Sequence, residues 1–151
     1  MVVDLMMTAV HIVAGTIWTG SIAFMTIAVL PIAATGEIDA TPLERIVGRL
    51  ITLSRSGAVL TMLTGGYLAA TTYTTKTLLS TIDGNLVITA VLIWFILVVS
   101  VEIGRRKLVG GLQAKRVRAP AAASTRSFQL ATVASILLII DIGLLATNMI
   151  V

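Results

Sequence analysis

One imidazole, His11, stands in a chain of 151 residues, and it lies in a run from Leu5 to Gly36 that holds no Asp, Glu, Lys or Arg. Met7 precedes it by four residues, and Gly15, Trp18 and Ser21 or Ile22 follow at spacings of three and four, so a helix presents them on one face. A neutral imidazole beside thioethers is a ligand set that soft Cu(I) accepts without a buried net charge. In an antiparallel arrangement of apolar helices, Met62 and Met149 fall in the same half as His11 and could join it, with Trp18 closing the path below Gly15. The same His could be an axial ligand of haem b, with a Met or a neighbouring copy as the other ligand. The plain alternative is packing, since a helical His commonly hydrogen-bonds to a neighbour and methionines fill gaps.

Three further ionisable residues sit within apolar surroundings: Arg55, Glu102 and Asp141. Charges in lipid are expensive and face a partner or a pathway. Arg55 with Glu102 reads as an ion pair tying two helices, or as a gate or proton relay, and Arg55 could also reach toward Asp141. Asp141 interrupts the run Ile136 to Leu145 and is either a bundle hydrogen bond or a functional carboxylate able to orient the second nitrogen of His11. A stripe of Ser54, Gly57, Ala58, Thr61, Thr64, Gly65 and Leu68 recurs at helical spacing and reads as a close-packing face. Thr64 and Gly65 could also line a path for water or an ion.

The rest of the composition removes whole classes of chemistry. With no Cys there is no thiol nucleophile, zinc–thiolate centre, iron–sulfur cluster or covalently attached haem, and a single His excludes bis-His haem within one chain. At 57% hydrophobic and 12% charged, with a mean hydropathy of +1.03, this is a membrane composition rather than a soluble one. The net charge of +4 falls between apolar segments, so it reads as a topology signal and not as a nucleic-acid surface.

Positioning those residues requires helices that cross the bilayer, about 20 apolar residues each. The spacing of charges predicts four, over about 5–31, 47–73, 85–106 and 127–149, in a single integral membrane domain over 1–151. With no Lys or Arg before Arg45, the first lacks the basic region of a cleavable signal and is expected to remain in the mature chain. Pro31 and Gly36 are expected to close it, and Thr41-Pro42-Leu43-Glu44 reads as a capping box for the second. Asp83-Gly84-Asn85 reads as a turn before the third, and Ala119 to Ser124 as a mobile linker or a short amphipathic helix before the fourth. Lys and Arg concentrate at Arg45 and Arg49 and between Arg105 and Arg126, against Lys76 alone on the other side. The positive-inside rule then places the 105–126 loop in the cytoplasm, and both termini outside the cell membrane.

The order of motifs resembles the CopD-type copper-resistance membrane proteins. His11 to Ser21 is similar to that family's His…Trp-x-Gly-Gly element, and Ser54-Arg55-Ser-Gly-Ala58 to its Ser-Arg-x-Ala helix start. Leu63-Thr64-Gly65 resembles its Leu-Thr-Gly, Asp83-Gly84-Asn85-Leu86 its turn before helix three, and Gly104-Arg105-Arg106 its basic helix end. The resemblance implies an all-α four-helix protein that moves copper across a membrane or assists its movement, without catalysis. It is expected to sit in the bilayer as a homo-oligomer, with the small-residue face of helix two or helix one as interface, or with a larger membrane partner. The helix-one His with nearby Trp and Gly is also similar to haem-binding membrane proteins of the HemJ type. A non-catalytic accessory subunit is the third reading.

Overall fold

Apolar runs of this length in lipid must satisfy their backbone internally, and they do so as helices. The computed structural model describes residues 1–148; Met149, a candidate ligand by sequence, lies outside them. Four helices are long and apolar enough to cross a membrane: helix one, Val2–Thr35; helix two, Ala40–Thr72; helix three, Ile82–Gln113; and helix four, Arg118–Asn148. A short helix, Thr75–Ser80, joins the second to the third, and no strand occurs among the described residues. The chain is thus an all-α four-helix membrane bundle.

Every long helix outruns its expected boundaries, mostly at the end that carries Arg45, Arg49 and Arg105 to Lys107, called here the basic end. The 105–126 segment is therefore no loop. Helix three continues to Gln113, the turn 114–117 follows, and Ala119 to Ser124 form the first turns of helix four rather than a mobile linker. Pro120 sits in the first turn, where its missing N–H is harmless, and alanines favour the helix. Ala121, Ser124 and Phe128 are buried, and Phe128 lies over Gly104 of helix three. Lys115 supplies the left-handed residue of the turn, with φ 55°, and the Lys115 and Arg116 N–H groups cap Leu112 and Gly111.

Other ends differ from expectation for local reasons. Helix one passes through Pro31 because a π-helical turn, Met25–Val29, precedes it, and stops at Gly36, whose φ of 80° suits glycine. The Gly36 and Glu37 N–H groups bond back to Ala33 and Ile32. Helix two begins after Asp39 with no side-chain cap, so the capping box expected at Thr41 does not form. Asp83, Gly84 and Asn85 lie inside helix three, which starts one turn early because the Thr81 hydroxyl accepts from the Gly84 N–H at 3.1 Å.

Helices one and two pack as one hairpin, and three and four as another. The fully buried large side chains, among them Trp18, Ile22, Met25, Leu30, Leu43, Leu97, Leu108 and Phe128, fill the bundle from its middle to the basic end. Large apolar side chains such as Phe24, Leu63, Phe95 and Ile139 face outward, while Thr19, Ser54, Thr61, Thr64, Ser100 and Ser135 are buried. That inversion fits lipid, where small residues let helices approach and large apolar ones lose nothing outside. The buried hydroxyls are satisfied locally: Thr61 donates to Gly57 O at 2.8 Å and Ser135 to Ala131 O at 2.9 Å.

Candidate functional site

The small-residue face of helix two is used inside the chain. Ser54, Gly57, Ala58, Thr61 and Thr64 are buried, Gly57 beneath Trp18 and Gly65 beneath His11. The stripe therefore packs helix one and is not an exposed surface for a second copy, which corrects the interface expected there.

His11 is half-buried on this seam, with Nδ1 2.9 Å from Thr64 Oγ1. Thr64 spends its single proton on the Leu60 carbonyl at 2.6 Å, so its oxygen is left to accept. This geometry favours the tautomer with the imidazole proton on Nδ1 and the lone pair on Nε2. The group that orients His11 is Thr64, not Asp141. Gly65 has no side chain where a Cβ would stand 2.8 Å from His11 Cε1, which is why the ring can approach helix two so closely.

Below His11, two indoles form the waist of the bundle. Trp18 Nε1 donates to Ser54 Oγ at 2.9 Å, and Trp94 Nε1 to Thr61 Oγ1 at 3.3 Å. The two rings meet edge to face, 6.3 Å between centroids. Trp18 is fully buried. Trp94, which is half-buried, was not legible as a partner, although an indole N–H inside a bundle usually finds an acceptor.

The candidate thioethers are dispersed. Met7 stands one turn above His11 and is half-buried, whereas Met62 lines the groove between helices two and three, on a different face of helix two from Thr64. Among the described residues no group of three or more His, Cys, Asp or Glu converges as a metal site. Asp4, near the far end of helix one, accepts from the Tyr67 hydroxyl at 3.2 Å and adds a polar clasp between the first two helices.

Arg55 reaches Glu102, with Nη2 3.7 Å from Oε2, and not Asp141. Glu102 is held more closely on its own helix: Arg105 grips both oxygens, with Nε 2.8 Å from Oε2, and Arg106 Nε donates at 3.1 Å. Sequence reasoning pairs Glu102 with Arg55 alone, although spacings of three and four residues are a signal for both of these contacts. Arg55 itself is two-thirds exposed, at 66%.

Asp141 is different in kind. It is 5% exposed, and its Oδ2 is buried with no hydrogen-bond partner among the described residues. Phe128 marks the basic boundary beside Gly104, and Asp141 lies roughly 20 Å further along helix four at 1.5 Å per residue. That places it well within a hydrocarbon layer about 30 Å thick. No family profile, curated protein or solved structure matches the chain.

Proposed function

We propose that this chain is a small transport or transport-associated membrane protein with copper as its cargo, as its resemblance to the CopD-type proteins implies. The observation that carries the reading is the His11–Thr64 hydrogen bond, which orients the imidazole and favours an available lone pair on Nε2. Met7, one turn away, offers a thioether, and the two together suit Cu(I) as a transient substrate. The partnerless oxygen of Asp141 supports a cation-handling role deeper in the layer, because an ionised carboxylate there requires a positive partner that the described residues do not supply.

Buried apolar side chains, Trp18, Ile22, Met25 and Leu97, stand between His11 and the basic end within one copy. Passage therefore belongs to a homo-oligomer or to a complex with a larger membrane partner. The basic turn faces the cytoplasm in this reading, and His11 opens to the outside of the cell membrane.

Metal analysis and an optical spectrum of the purified protein, with copper uptake and tolerance in cells, test the proposal. Copper retained by the wild type and by Met25→Leu, and lost in His11→Ala, is the expected result. A strong visible absorption band lost with His11 would assign haem b in place of copper. Neither metal nor haem, with His11→Ala behaving as wild type, would leave an accessory subunit.

A further inference from the structure

The two hairpins meet closely at the basic end but leave helices two and three apart over their middle, and the gap is a groove of about 500 Å³. Its wall is apolar, with Ala58, Met62, Leu63 and Val98 along the sides and Trp94 as the floor. Trp94 is held there by Thr61 and Trp18, so the floor is rigid. At the basic end the groove finishes on Arg55, Glu102 and Arg105.

Charge at that end does not balance within the chain. One carboxylate, Glu102, faces the guanidinium groups of Arg55, Arg105 and Arg106. Arg105 takes both of its oxygens, and Arg55, the only one of the three on helix two, is left with a single 3.7 Å contact. A guanidinium carries five donors in a planar fork, most of which are open here.

Depth identifies what those donors face. Arg55 precedes the end of helix two at Thr72 by roughly 26 Å, and Glu102 follows the start of helix three at Ile82 by roughly 30 Å, at 1.5 Å per residue. With a hydrocarbon layer about 30 Å thick, Glu102 stands at its basic edge and Arg55 about one turn inside it, so that a long Arg55 side chain reaches the level of the lipid phosphates. We propose that the groove seats one acyl chain of an anionic phospholipid, with its phosphate on the Arg55 guanidinium. Arginine pairs with phosphate in bidentate fashion, and basic pockets between membrane helices select anionic headgroups. The one carboxylate that a second copy has at this level, its own Glu102, is already taken by its own Arg105 and Arg106. The copy's Glu37, Asp39 and Glu44 lie beyond the basic boundary, Asp4 and Asp83 near the opposite end, and Asp141 is buried.

The test is native mass spectrometry of delipidated protein in detergent, titrated with dioleoylphosphatidylglycerol, dioleoylphosphatidylcholine and the soluble headgroup glycerol 1-phosphate. The anionic lipid should bind about tenfold more tightly than the zwitterionic one, and Arg55→Gln should weaken it by about tenfold. Met62→Trp, which fills the groove without touching charge, should weaken it as much. Lys76→Gln, a charge loss at the opposite end, should leave it unchanged. Thermal midpoints without lipid establish that each variant is folded, and if Arg55→Gln is not, Met62→Trp decides alone. Equal binding of the two lipids, full competition by glycerol 1-phosphate, or wild-type binding by the folded variants would overturn the proposal. So would a dimer peak that Met62→Trp abolishes.

Discussion

His11 Nδ1 lies 2.9 Å from Thr64 Oγ1, and the imidazole rests in the space that Gly65 leaves beside it. Two residues 53 apart in sequence are thereby joined across the first hairpin, and glycine is what makes the approach possible. Farther down the same seam Gly57 does this for Trp18, where a Cβ would meet Trp18 Cβ at 2.7 Å.

Three of the four glycines of helix two should therefore respond in a fixed order. Gly57→Ala forces apart two helices at a fully buried indole and should cost about 2–3 kcal/mol. Gly65→Ala needs only the outer edge of the His11 ring to move, so its cost should be near that of the lost hydrogen bond, about 1 kcal/mol. Gly66 has nothing within 4 Å of an added Cβ, and Gly66→Ala should gain up to about 1 kcal/mol from helix propensity. Unfolding midpoints in detergent measure the series, and a Gly65→Ala variant less stable than Gly57→Ala would contradict this account of the seam.

The ion cluster gives a second ordering. Glu102 faces three guanidinium groups and is gripped closely by two of them, whereas Arg55 is 66% exposed and holds Glu102 at 3.7 Å. Arg55→Leu alone should thus change stability by no more than about 1 kcal/mol in lipid-free detergent, as exposed pairs do. Glu102→Leu should cost more, because Arg105 and Arg106 then repel each other and Arg55. The double variant Arg55→Leu/Glu102→Leu should recover part of that loss. Equal costs for the two single variants would show that the 3.7 Å pair, and not the Arg105 grip, dominates.

The helices were legible because hydrocarbon thickness imposes runs of about 20 apolar residues, and hydropathy reads such runs directly. Their ends were not. Beyond the lipid the helices persist because Leu43, Leu108, Leu112 and Ala121 bury against one another, and that is a property of packing between distant segments rather than of any one segment. The turn before helix three failed for a different reason, since Gly84 and Asn85 are turn formers in isolation but Thr81 caps them into a helix. At the site, His11, Thr64, Gly65 and Trp18 were each visible as types at helical spacing, but which faced which required the register of the hairpin. Met62 shows the limit most plainly: its depth was readable, its face was not, and it points into the groove instead of toward His11.

Membrane orientation can be read with single cysteines in this Cys-free chain. Ala122 is exposed near the start of helix four, and Leu79 is 66% exposed on the short helix at the opposite end. The Lys and Arg asymmetry predicts that Leu79→Cys reacts with an impermeant thiol reagent in intact cells, and that Ala122→Cys reacts only after permeabilisation. Labelling of Ala122→Cys in intact cells would reverse the orientation and place His11 on the cytoplasmic half.

Asp141 separates a stabilising role from a functional one. A buried polar atom without a partner weakens a fold by about 1–3 kcal/mol relative to an apolar replacement of similar size. Oδ2 of Asp141 is such an atom within the described residues. Asp141→Leu should consequently raise the unfolding midpoint, by about 2–4 °C per kcal/mol for a chain of this size. If the carboxylate binds a cation during transport, the same substitution should abolish copper flux in reconstituted vesicles, so that stability rises as activity falls. Asp141→Asn, which keeps the shape but not the negative charge, should lose the flux too while gaining less stability. A structural carboxylate would behave the opposite way, since Asp141→Leu would then lower the midpoint by removing a bond that lies outside the described residues. A raised midpoint with unchanged flux would remove Asp141 from the pathway and leave His11 and Met7 as the ligands of the proposal.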